Sequence, residues 1–418
     1  MQMLNIYKFN NAIIFIVLIF LLFDGIRSNL KISALLTLMR EVAIFYLILY
    51  SVSHFSLKRN IFTKSLLYFL LYHTFIVWFS LINSGPITWS FVIKPYEFLG
   101  AIHVFSNYSN LTNKKVSCLV KQIINISVVF SVLNVVMYFV PLPIWNRTDF
   151  WWGRISCGYP TMDVITQNYS LILLLFFPLR SLSNGKKLLY ATVIVTGIML
   201  SFSGTGTLLL LLIFIAKLLF GTQNKKKVLT YSLVSLFVMS ITLLPFLKET
   251  FQKEYEMGTY LLENKWHSLI GVDDGNINTL QMRAEQLEKA QKKQNGIIAK
   301  VFGIGLNYAT NDGKIMNKYS DALFIENEFN LLSVCYGYLG TCLYCCFIIN
   351  LFIYCIYKIN NRQKKFFSLL GLTVFVCNNY TLLPLILFPN YIGFAIIYSM
   401  VRNSNNTLTL KNENSIRL

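Results

Sequence analysis

Three arginines, one carboxylate and a pair of tryptophans carry the chemistry open to this sequence. Arg147 and Arg154 flank Phe150, Trp151 and Trp152, and Arg283 stands in a later amphipathic run. Guanidinium forks bind phosphate oxygens in pairs and aromatic rings pack on sugar faces, so this set suits a sugar-diphosphate ligand. The same aromatics would also serve as a membrane-interface belt. Glu326-Asn327 closes a long polar interlude just before apolar sequence resumes. A partly desolvated carboxylate there could take a proton from a hydroxyl, or it could cap the helix that follows. Lys94 and Glu97 sit three apart inside an apolar run and can pair on one helical face, either lining a wet cavity or tying down an interface. The polar interlude holds no His-x-x-x-His, Asp-x-Asp or Cys-x-x-Cys pattern, so neither a metal nor a cofactor is expected.

These side chains must be positioned by an all-α, polytopic integral membrane protein. The 418 residues are 55% hydrophobic and only 13% charged, with a mean hydropathy of +0.55, which sets soluble enzymes aside. The net charge of +19 comes from Lys and Arg clustered in short connections between apolar runs. That pattern sets topology and gives no reason to expect nucleic acid. Cys342, Cys345, Cys346 and Cys355 share one apolar segment and read as small packing residues rather than a disulfide framework.

Apolar runs of spanning or near-spanning length fall at about 11–23, 33–53, 62–82, 89–106, 119–140, 165–180, 188–203, 206–220, 228–246, 328–357, 366–382 and 385–400, twelve in all. The first has no small-residue cleavage site behind it and is taken as a span. The basic clusters at Lys58-Arg59, Lys114-Lys115, Arg180 to Lys187, Lys225 to Lys227 and Lys358 to Lys365 then fall on one cytoplasmic side, with both termini. Residues 141–164 and the interlude 248–326 lie outside. The organisation is N-terminal spans 1–140, core spans 141–247, a large external loop 248–326, and C-terminal spans with a tail, 327–418. Ser203 to Thr207 must be a turn, because the largely apolar stretch of 37 residues between Lys187 and Lys225 has cytoplasmic flanks on both sides. Each half is then too short for a full span, so two half-helices pack around the glycines. In the loop, Leu280, Ala284, Leu287 and Gln291 form one stripe of a helix over Thr279–Gln294.

Read in order, these features resemble the Wzy/WaaL superfamily of O-antigen polymerases and ligases. Arg154-Ile155-Ser156-Cys157-Gly158 is similar to that family's Arg-x-x-Gly entry to its core, with one more residue between arginine and glycine, and Ser203-Gly204-Thr205-Gly206 to its Ser-Arg-Thr-Gly turn with glycine in place of arginine. Arg283 to Leu287 fits an Arg-x-x-x-Leu element, and Gly303-Ile304-Gly305 the Gly-x-Gly after it. Glu326-Asn327, nine residues before Gly337-Tyr338-Leu339-Gly340, has the spacing of the ligases' His-Asn-x9-Gly-x-x-Gly, with glutamate where ligases place histidine. That exchange, and the Arg-x10-Gly spacing of Arg147 and Gly158, favour polymerase over ligase.

The resemblance implies a GT-C-like, multi-pass enzyme of the bacterial inner membrane. It would join undecaprenyl-diphosphate-linked oligosaccharide repeats on the periplasmic face, amid membrane lipid and with room for a chain-length regulator. Glu326 would be the base and Arg147, Arg154 and Arg283 the diphosphate clamp. Asn327, Trp151, Trp152, Lys94 and Glu97 would complete the substrate site. An O-antigen ligase or a lipid-linked oligosaccharide flippase shares the same composition and length.

Overall fold

The computed structural model describes residues 61–108, 113–139, 160–220, 288–310 and 323–381 with short gaps, and isolated positions between 35 and 49 and at 252 and 256. The chain divides into two compact units, residues 1–210 with 294–418, and residues 211–293. The described residues are overwhelmingly helical.

In the first unit the helices are α1 (Ile61–Ile82), α2 (Trp89–Tyr108), α3 (Asn113–Phe139), α4 (Pro160–Phe176) and α5 (Asn184–Leu200). α5 ends at Leu200, and α6 (Gly204–Phe220) takes in Gly204 to Thr207, which were expected to belong to the turn, so the two helices have 17 residues each. That length falls short of the ~20 residues a full crossing needs. Later come α7 (Gly296–Phe302), a two-residue parallel pair β1 (Ala309–Thr310) and β2 (Leu323–Phe324), α8 (Glu328–Leu331), α9 (Gly337–Lys358) and α10 (Arg362–Thr381).

Among the described residues, two stretches are long and apolar enough to cross a membrane, Lys64–Ile82 and Phe329–Tyr357. Only 44% and 28% of their most apolar windows are buried, so Leu71, Phe75, Trp78 and Ile82 on α1 and Ile349, Ile353 and Ile356 on α9 face outward. The core helix of a water-soluble domain turns such residues inward. Here α1 packs along α9 through one side only. The seam is aromatic: Phe69 of α1 lies against Tyr336 and Tyr344, and Phe98 of α2 meets Phe347 of α9 edge-on and stacks on Phe375 of α10. Buried rings of this size supply much of the packing where no water drives apolar surfaces together.

A second cluster joins α3, α4 and α5 through small and polar side chains. Ser127 and Ser170 share a short hydrogen bond, and Gln167 donates to the Ser131 hydroxyl at 3.0 Å. Gly197 of α5 comes so close that a Cβ there would lie 2.8 Å from Gln167 Nε2, so glycine is what lets α5 in. Phe176 of α4 against Phe366 and Phe367 of α10 links this cluster to the aromatic seam.

Candidate functional site

The apolar stretch Phe329–Tyr357 is not one continuous α-helix. From Leu332 to Tyr336 the helix widens into a π-turn, and Gly337 at φ +64° then ends it before α9 restarts. Wide turns break the regular ladder and leave carbonyls without helical donors, a cost that is severe away from water. The carbonyls of Ser333, Val334, Cys335 and Tyr336 find donors from elsewhere. Gln294 Nε2 donates to the Ser333 and Val334 oxygens at 2.7 and 3.1 Å. The Ile304 and Gly305 amides donate to the Val334 and Cys335 oxygens at 3.1 Å each. The Tyr72 hydroxyl of α1 stands 2.9 Å from both the Tyr336 and the Phe302 oxygens and shares its proton between them.

Residues Gln294 to Asn307, assigned by hydropathy to the external loop, are thus fastened onto the helical bundle. The contact depends on glycine. A Cβ on Gly303 would lie 2.2 Å from the Cys335 oxygen, and one on Gly337 would lie 2.4 Å from the Gly303 nitrogen. The Gly-x-Gly and Gly-x-x-Gly elements singled out in the sequence therefore meet backbone to backbone. Gly340 adds to the fit, its Cα facing the Tyr72 ring. Beyond the junction the chain crosses to the α1–α2 connection. Leu306 N donates to Ser80 Oγ at 2.7 Å, Asn307 Nδ2 donates to the Ser80 and Asn83 oxygens, and Thr88 donates to the Ala309 oxygen at 2.8 Å.

Beneath this seat lie two buried polar groups. His73 of α1 has Nε2 3.0 Å from the Val92 oxygen and Nδ1 2.8 Å from the Tyr336 hydroxyl. A carbonyl can only accept, so Nε2 carries the proton and Nδ1 accepts from Tyr336. This bridge ties α1, α2 and the break together. The second group is ionic. The pair expected from the Lys94–Glu97 spacing forms at 2.8 Å, and Glu41 also meets Lys94 Nζ at 2.8 Å. Lys94 and Glu97 are nearly buried, whereas Glu41 keeps about a third of its side chain open. With two carboxylates around one ammonium, the triad presents oxygen outward rather than a free cation. It can accept from a hydroxyl, and it can also hold helices in register. Lys94 follows Thr88, the residue before α2 that binds Ala309, by six residues, so the triad lies about 9 Å along the helix from that contact.

In the second unit, Glu288 and Lys292 pair at 2.8 Å across one helical turn. Helical positions run to Lys293, where the Thr279–Gln294 helix was expected to end. The hydrogen bond and charge of Lys292 hold the exposed Glu288 carboxyl below the usual carboxylate range.

Of the residues named from the sequence, the structure places Lys94 and Glu97 together; Arg147, Trp151, Trp152, Arg154, Arg283, Glu326 and Asn327 lie outside the described residues. Glu41, Tyr72, His73 and Gln294 were not singled out from the sequence. A histidine in the middle of an apolar run was the one signal that could have drawn attention to His73.

No protein-family model and no curated protein matches the chain. Among solved structures, it is similar to a chain from "Structural coordination of polymerization and crosslinking by a peptidoglycan synthase complex". The two are 14% identical, with a TM-score of 0.43 over 80% of this chain and 97% of that one.

Proposed function

We propose that the chain is a multi-pass inner-membrane glycosyltransferase of the O-antigen polymerase kind, joining undecaprenyl-diphosphate-linked oligosaccharide repeats at the periplasmic face. The observation that carries this reading is the junction of Gly303 with Gly337, braced by the Gly305 amide on the Cys335 oxygen. Two short motifs, individually degenerate and named separately in the sequence, form one interlocked backbone contact. Chance glycines have no reason to do so, whereas a structured external loop that must be held against the membrane helices does. A flippase has no need of such a seat.

In the reaction, an acceptor sugar hydroxyl attacks the anomeric carbon of the donor repeat. The new glycosidic bond forms as the bond to the diphosphate oxygen breaks, and undecaprenyl diphosphate leaves with the electron pair. Glu326 takes the hydroxyl proton, and Arg147, Arg154 and Arg283 offset the charge that grows on the leaving diphosphate. Asn327 and the rings of Trp151 and Trp152 hold the sugars. Lys94 and Glu97, with Glu41, offer an acceptor-facing carboxylate below the loop.

Deleting the gene tests the reading. A polymerase loss leaves lipopolysaccharide carrying one repeat, restored to a ladder by the intact gene. Loss of all repeats from the lipid A core would point to a ligase or flippase and overturn it.

A further inference from the structure

We infer that α7 is a lipid anchor, its apolar face set against acyl chains of the outer leaflet. This rests on the membrane reading above but asks nothing of the chemistry. Around the seven residues of α7, Ile297, Val301, Ile298 and Phe302 fall on one continuous arc, since successive residues turn by about 100°. Ile297 and Ile298 are 81% and 77% exposed, unusual for two adjacent isoleucines on an element whose other side is fastened down.

Height along the bundle says what covers them. The 22 residues of α9 run from Gly337 to Lys358 and, at ~1.5 Å each, measure about 33 Å, close to the thickness of a hydrocarbon core. At its far end, exposed Tyr357 adjoins the basic cluster beginning at Lys358, the mark of the cytoplasmic interface. Counted on α9, that puts Gly337 near the opposite interface; counted on α1, Tyr72, bonded to the Tyr336 oxygen, lies ten residues or about 15 Å short of Ile82 at the outer end of its span, so the Gly303–Gly337 contact holds α7 within the outer leaflet. Phe302, Tyr338 and Leu339 are exposed around the same junction, continuing the apolar arc toward the bilayer. Lys300 borders the arc, where its stem can lie along acyl chains while its ammonium reaches toward lipid phosphates.

The test places a nitroxide at position 297 or 298, on a keto amino acid so that the native cysteines stay. The full chain is held in nanodiscs of phosphatidylethanolamine and phosphatidylglycerol. Both sites are open, so the label fits without repacking. Power saturation should give several-fold greater accessibility to oxygen, which concentrates in acyl chains, than to a neutral nickel chelate, which stays in water. A label at Gly185, where nothing lies within 4 Å, should show the reverse. Equal or greater access to nickel at 297 and 298 would put α7 in water, and low access to both reagents would put protein over it. Either result overturns the anchor. Polymer formation in the same discs keeps the two readings apart: lipid immersion without polymer would count against the enzyme, and polymer without immersion against the anchor alone.

Discussion

Gly303→Ala measures how much of the fold depends on the glycine junction. Gly303 sits at φ +82° and ψ 175°, a region nearly closed to residues with a Cβ, and occupying it costs about 1–3 kcal/mol. The added methyl would also lie 2.2 Å from the Cys335 oxygen, which is backbone and cannot swing away. The strands of chain must part, weakening the Ile304–Val334 and Gly305–Cys335 hydrogen bonds at about 1 kcal/mol each. Against this, alanine restricts the unfolded chain and returns about 0.4–1 kcal/mol. The net loss is about 3–4 kcal/mol, a large part of a typical stability of ~5–15 kcal/mol. Two other glycines separate strain from overlap. Gly296 has φ +87° but open space around it, so Gly296→Ala should cost about 1 kcal/mol or less. Gly185 has neither constraint, and Gly185→Ala should be neutral or slightly stabilising. Unfolding in mixed micelles of rising dodecyl sulfate fraction, followed by far-UV circular dichroism, gives all three. Gly303→Ala within about 0.5 kcal/mol of Gly296→Ala, well under the gap worked out from these terms, would refute the interlocked junction.

Lys94→Met leaves Glu41 and Glu97 facing each other without their cation and should cost about 3–5 kcal/mol in the same unfolding assay; adding Glu97→Gln should recover part of it. His73→Phe keeps the ring volume but strands the Tyr336 hydroxyl and the Val92 carbonyl, for a loss of about 2–4 kcal/mol by the same measurement. Arg283→Lys keeps the charge but not the bidentate fork, so it should lose most polymer while accumulating normally, as read on silver-stained gels. With no metal expected in the site, polymer yield from the purified chain should be unchanged by EDTA.

Apolar runs were the most legible feature. Those at 62–82, 89–106, 119–140, 188–203, 206–220 and 366–382 recur as helices within a few residues, because a run of that length leaves the backbone few other ways to satisfy itself. The run at 165–180 is displaced: α4 starts at Pro160, a residue preorganised for the first helical position, and ends by Phe176. What the sequence hid was tertiary. Glu41 lies 53 residues from Lys94, and nothing local in its own apolar run points across to another helix. Gln294 reads as one polar residue at the end of an amphipathic stripe, yet its amide closes two carbonyls of a distant helix. The π-turn at Leu332–Tyr336 has no compositional signature, since Leu-Ser-Val-Cys-Tyr would serve an ordinary span. The glycines were visible as motifs because positive φ and close approach demand glycine, but only the folded chain brings Gly303 against Gly337.

The decisive step is glycosidic-bond formation between lipid-linked repeats, with Glu326 proposed to take the acceptor proton. The direct measurement is polymer formation by the purified protein in liposomes supplied only with undecaprenyl-diphosphate-linked repeats, comparing wild type, Glu326→Gln and Glu328→Gln. Wild type and Glu328→Gln should give a ladder of polymer, and a folded Glu326→Gln single repeats alone. A ladder made at the wild-type rate by Glu326→Gln would remove the residue from the chemistry, and no ladder from any of the three would contradict the polymerase itself.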